Sequence, residues 1–154
     1  MSVTINEKLA LLLDKADTIK LLVTTNEQGI PHAVVKNSLR LAKDNHLIYL
    51  ELLESSHTNS NMVRSIWFDH SITIAIVGTN GESYQIKGKP IKAIVNGHTF
   101  RKYYKELREE QGDVDLAAVW IIKPYEILDQ SFPVRRCQEE TNRPYFKHLD
   151  RLAK

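Results

Sequence analysis

Seven consecutive residues, Ser55, Ser56, His57, Thr58, Asn59, Ser60 and Asn61, carry polar side chains that form hydrogen bonds. They lie where an apolar run, Leu47 to Leu53, passes into a helical pattern. Ser, Thr and Asn cap helices, and capping alone needs one or two of them. A longer cluster of donors at a helix N-terminus, where backbone amides are also free, suits an anion, phosphate above all. A second stretch, Lys36, Asn37 and Ser38, interrupts an otherwise apolar strand pattern. Lys36 and Ser38 read as one polar stripe. Asn37 shares the face of Val35 and Leu39, so its amide is expected to be buried and to need partners. Backbone would serve, and so would the polar edge of a flat ligand.

Other catalytic signatures are missing. No Gly-x-Gly-x-x-Gly, phosphate loop or Gly-x-Ser-x-Gly elbow occurs. The six histidines, at 32, 46, 57, 70, 98 and 148, never stand three or four residues apart, so no helical metal pair is expected. No carboxylate pair is set for acid–base work, and no catalytic residue is assigned. The single cysteine, Cys137, has Arg135 and Arg136 beside it and reads as incidental.

Elements must hold these groups in place. Residues 4–16 read as a helix capped by Thr4 or Asn6, with Leu9, Leu12, Leu13 and Ala16 on its buried face. Strands are expected over 19–25, 32–41, 46–53, 71–77, 83–95 and 114–122. In the second, Ala33, Val35, Asn37, Leu39 and Leu41 share a face. The run 71–77 is apolar almost throughout, which predicts a central strand. The alternation in 83–95 changes phase at Gly88-Lys89-Pro90, which predicts a bulge. Lys123-Pro124 is expected to stop the last strand. Helices are expected over 57–68, packed through Met62, Ile66, Trp67 and Phe68, and over 98–111, with Gly112 ending it. Short turns without regular β-α alternation argue for a mostly antiparallel sheet curled into a barrel with flanking helices.

The 154 residues suit one domain with a real core. Hydrophobic residues make up 42% and charged residues 26%, an ordinary globular balance. Net charge is +2, and all of it falls in residues 129–154, which hold six Lys/Arg against four Asp/Glu. The rest balances fifteen against fifteen, so no nucleic-acid partner is expected. No window approaches the roughly 18 apolar residues of a membrane span. No secretory signal is read at the start, and the lone cysteine fits a reducing compartment, so a cytoplasmic location is expected.

In order and local motif, residues 5–128 resemble the pyridoxamine 5'-phosphate oxidase-like, FMN-binding split barrels. Four segments carry the resemblance: Leu22-Val23-Thr24-Thr25 with Gly29-Ile30-Pro31-His32-Ala33-Val34-Val35; Leu47-Ile48-Tyr49-Leu50; Ser56-x-Thr58-x-x-Asn61-Met62; and Ile72-Thr73-Ile74-Ala75-Ile76 leading to the Gly88 strand. The resemblance implies a six-stranded antiparallel split barrel over 1–128, with 129–154 as a C-terminal tail packing on the barrel or on a partner copy. It implies a homodimer with one FMN at each subunit junction. Val34, Val35, Lys36, Asn37 and Ser38 would run along the flavin ring, and Tyr49 and Leu50 would flank it. Ser56, His57, Thr58 and Asn61 would hold the phosphate. Ser83 and Gln85 would reach in from the other subunit. Family members often carry arginine where Val34 stands and lysine where Thr58 stands, so His57 or Lys36 is expected to supply the missing cation. The activity implied is an FMN-dependent oxidoreductase acting on a small molecule, with a donor such as NAD(P)H. The alternatives are a non-enzymatic flavin or electron-transfer module, or a split barrel holding haem or another nucleotide.

Overall fold

The computed structural model describes residues 3–143. The last eleven residues of the expected tail, 144–154, lie outside the described residues. Among those described, seven strands and four α-helices follow the order α1 (Glu7–Asp14), β1 (Ile19–Thr25), β2 (Pro31–Val35), β3 (Arg40–Leu41), β4 (Leu47–Glu51), α2 (His57–Trp67), β5 (Ile72–Val77), β6 (Ser83–Ile94), α3 (Gly97–Gln111), β7 (Ala118–Asp129) and α4 (Phe132–Asn142). Asn6 caps α1, its side chain accepting from the Leu9 amide at 2.8 Å. Leu9, Leu12 and Leu13 are buried as expected, whereas Ala16 lies beyond the helix end and is exposed.

The sheet runs β2-β1-β5-β6-β7-β4-β3, every neighbouring pair antiparallel. β5 is central, as its apolar run requires. The two edge strands are consecutive in sequence, joined by Lys36–Leu39 alone. Five residue steps span at most roughly 18 Å. Seven strands laid flat, about 4.8 Å apart, would hold their edges roughly 29 Å apart. The short connection therefore forces the sheet to curl, and the seam of the curled sheet is the Lys36–Leu39 turn.

That turn corrects the sequence reading of residues 32–41 as one strand. The chain leaves β2 after Val35 because the Lys36 amide bonds the Lys20 carbonyl at 2.8 Å and the Leu39 amide folds back on the Lys36 carbonyl at 3.1 Å. Asn37 sits exposed in the turn, so it is no buried amide on a strand face. Within β2 the inward side is also the opposite one. Val34 packs on the core, while Ala33 and Val35 face outward.

β6 and β7 bend together. Their register shifts between Lys87 and Gly88 and between Pro90 and Lys92, at the expected bulge. Pro124 falls opposite Gly88, so it does not end β7, which runs to Asp129. A bulge tolerates the missing amide that a regular ladder would not. β7 also starts later than expected, at Ala118.

Two apolar clusters result. The inner one gathers Leu22, Ile74, Ile86, Tyr49, Trp120 and Ile122 of the sheet with α1 and with Met62 of α2. The outer one sets Ile48, Leu50 and Val119 under Leu107 of α3. β4 is buried on both faces for this reason. The α2 packing differs from expectation. It buries Thr58, Asn61, Met62 and Ser65. Ile66, Trp67 and Phe68 are exposed, Trp67 at 79%.

Candidate functional site

The seam turn, the end of β4 and the α3 region enclose an open cleft of about 620 Å³. Val35, Lys36, Asn37 and Ser38 line one side, Leu50 to Leu52 the floor with Leu53 at the rim, and Leu107, Gln111, Val114 and Asp115 the other side. The volume lies within the roughly 300–1,000 Å³ of small-molecule sites. Ser38 fixes the turn to β4. Its hydroxyl accepts from the Leu50 amide at 2.9 Å and lies 3.3 Å from the Leu50 carbonyl.

Polar groups converge behind the floor. Ser56 is the N-cap of α2, its hydroxyl accepting from the Asn59 amide at 3.0 Å. The same hydroxyl donates to Glu51 Oε1 at 2.6 Å. Glu51 Oε2 lies 2.9 Å from Lys36 Nζ. The ammonium also stands 5.2 Å from the centroid of the Tyr49 ring, a cation–π contact that positions it. Tyr49 itself is fully buried, and burial first, then the charge of Glu51, pushes its phenol pKa far above the ordinary range. Its hydroxyl has no hydrogen-bond partner among the described residues.

The other side of α2 faces the β1–β2 hairpin. Asn61 Nδ2 donates to Thr24 Oγ1 at 3.0 Å, and Ser65 Oγ donates to the Asn61 carbonyl at 2.8 Å. Thr58 is 2% exposed. The His57 ring, at the first position of α2, lies 5.7 Å from that of His32 on β2. Arg64 pairs with Glu27 of the hairpin turn. Trp120 Nε1 donates to Asn59 Oδ1 at 2.8 Å, which ties α2 to β7.

Val35, Lys36, Asn37, Ser38 and Leu50 thus share one cleft, and Ser56 touches it through Glu51. Val34 and Tyr49 turn into the core instead. Thr58 and Asn61 are buried, and His57 is exposed. Ser83 and Gln85 lie on β6 outside this cleft. The Ser83 amide donates to Ser131 Oγ at 3.1 Å, and Gln85 stands opposite Ala75. Glu51, Thr24 and His32 also make contacts here and are not among the residues expected from the sequence. Glu51 had a signal, an acid at the end of a strand that is otherwise apolar.

In size and in its mixed lining of Val35, Asn37, Ser38 and Leu50 the cleft is suited to a flat ring such as that of a flavin. Fit at the phosphate end is narrower. Thr58 and Asn61 are turned inward, which leaves Ser56, His57 and Lys36 as donors, two of them engaged by Glu51.

No protein-family model and no curated protein sequence matches the chain. Solved structures do. A tagged HupZ from Group A Streptococcus superposes with a TM-score of 0.70 at 22% identity, covering 84% of this chain and 96% of that one. An FMN-binding protein from Syntrophomonas wolfei gives 0.66 at 16% identity, covering 82% and 86%. A pyridoxamine 5'-phosphate oxidase-like protein from Listeria innocua gives 0.61 at 14% identity, covering 81% and 97%. The haem storage protein HutZ from Vibrio cholerae shares the fold too, with 0.59 at 10% identity, covering 82% and 95%. The curled antiparallel sheet with its bulged β6–β7 pair is the split-barrel fold, which this chain shares with these structures.

Proposed function

We propose that the chain is a flavin-binding redox protein that takes FMN in the seam cleft and works as a homodimer. The observation that carries this reading is the convergence of Val35, Lys36, Asn37, Ser38 and Leu50 on one cleft of suitable size. The fold shared with an FMN-binding protein supports it, although a fold by itself does not choose a ligand. Bound flavin would supply hydride or single-electron transfer. The chain's own part is to bind and orient. Ser38 locks the turn against β4, Leu50 and Val35 offer apolar walls, and Ser56 and His57 offer donors at the positive end of α2. Residues 1–128 are read as this binding unit and 129–154 as an appendage on it or on a second copy. Ser83 and Gln85 would meet flavin from that copy. A reaction with NAD(P)H would make the chain an oxidoreductase.

The test is direct. Purified protein is expected to show the two flavin absorption bands, or to gain them on adding FMN, and to release FMN on denaturation. Bleaching of those bands by NADH or NADPH, with return on adding an acceptor, would mark an enzyme rather than a passive module. Protein that stays colourless with excess FMN refutes the reading.

A second reading, haem in place of flavin, rests on a different cleft of about 710 Å³. Ile48, Ile94, Val119 and Ile121 line it, with His46 and His98 as imidazoles and Lys43 and Lys102 as cations for carboxylates. Its mark is a Soret band on adding haem that His46→Ala or His98→Ala weakens.

A further inference from the structure

Glu51 ends β4 with 1% of its surface exposed, and both of its carboxylate oxygens are engaged. Oε2 holds Lys36 Nζ and Oε1 accepts from Ser56 Oγ. Because Ser56 also accepts from the Asn59 amide, the carboxylate is linked to the positive end of α2 through one hydroxyl. Charges paired away from water hold each other far more firmly than the same pair on the surface. Lys36 and Ser56 are two of the three donors left for a ligand phosphate. Both are committed to an anion that the chain itself provides.

We infer that Glu51 is a specificity-determining residue, an internal counter-anion that competes with a ligand phosphate for Lys36 and Ser56. The inference rests on the flavin reading above. A phosphate dianion reaching Ser56 must draw Lys36 off Glu51, or else sit beside the carboxylate with one cation between them. A neutral hydroxyl at the same place does neither. Glu51 therefore sets the ratio between affinity for FMN and affinity for riboflavin, which is the same ring and side chain without phosphate.

The experiment is titration of FMN and riboflavin, by quenching of flavin fluorescence, into wild-type protein and Glu51→Gln. Glutamine keeps an acceptor for Ser56 and removes the charge. FMN affinity is expected to rise about tenfold or more, with riboflavin changed by less than about twofold, as a lost repulsion acting on the phosphate alone requires. Unchanged or weaker FMN binding with riboflavin unaffected overturns the inference and leaves the flavin reading intact. Parallel loss of both ligands also overturns it, since that is the mark of a purely structural residue. Failure of wild-type protein to bind either flavin removes both the reading and the inference. Lys36→Gln is the second variant, should Glu51→Gln not fold. With the cation gone and Glu51 still charged, the FMN-to-riboflavin affinity ratio is expected to fall about tenfold, and an unchanged ratio counts against Glu51 as a selector.

Discussion

His57 stands first in α2, exposed, with the His32 ring 5.7 Å away across the β1–β2 hairpin. Thr58 and Asn61 face inward, so His57 is the one side chain of the expected phosphate set that is both exposed and free of the Glu51 linkage. His57→Ala is expected to weaken FMN retention about tenfold, about 1.4 kcal/mol, measured by equilibrium dialysis. Unchanged retention would remove His57 from the site. Structural cost appears elsewhere, at Trp120. Its indole donates to Asn59, so Trp120→Phe strands a half-buried acceptor and is expected to cost about 1–3 kcal/mol in urea unfolding. At this scale the sequence spoke unevenly. The polar run marked the start of α2, because capping residues act locally. It did not reveal which members turn inward, because that depends on Thr24 and Trp120, 37 and 61 residues away from their partners. Glu51 went unread for a similar reason. Its meaning comes from Lys36 and Ser56, which only the seam brings to it.

Among the elements, the β6–β7 pair shapes the barrel. The phase change at Gly88 was legible in β6 because alternation is a property of one strand. Pro124 misled because a proline inside a single strand reads as a stop, and the bulge that accommodates it lies in the pairing with β6. A Cβ at position 88 would stand 2.9 Å from Ile122 Cγ2 and 3.0 Å from the Lys123 carbonyl oxygen. Gly88→Ala is therefore expected to destabilise the fold by about 1–3 kcal/mol, with a lower urea midpoint at constant slope. Lys20 holds three elements together from the inner face of β1, donating to the Leu13 carbonyl at 3.3 Å and the Leu39 carbonyl at 2.7 Å. Burial first, and then the charge of Arg40, keep its ammonium below the ordinary lysine range. The folded state thus releases that proton before the unfolded chain does, so stability from this group rises as pH climbs toward 10.5.

For the whole molecule, the curl of the sheet follows from a four-residue connection between its edges, and the same connection builds the cleft. Strand content and antiparallel order were legible from alternation and turns. The seam was not, because Lys36–Leu39 continues the alternation of β2 and only the distance between the edges shows that the chain must turn there. The cleft is open, and its rim carries apolar side chains that water covers in a single protomer, Leu53 at 67% exposure and Val35 at 49%. A second copy seated on this rim would bury both and complete the enclosure that a flavin ring needs. Dimerisation and flavin uptake are therefore expected to fail together. In sedimentation velocity the wild-type protein should run at twice the chain mass, and Leu53→Glu should shift it toward one chain. The same variant should lose most of its FMN while keeping its thermal unfolding midpoint, because Leu53 makes no part of either apolar cluster. A variant that becomes a monomer yet keeps its FMN would show that one copy encloses the ring alone, and the shared-site part of the proposal would fall.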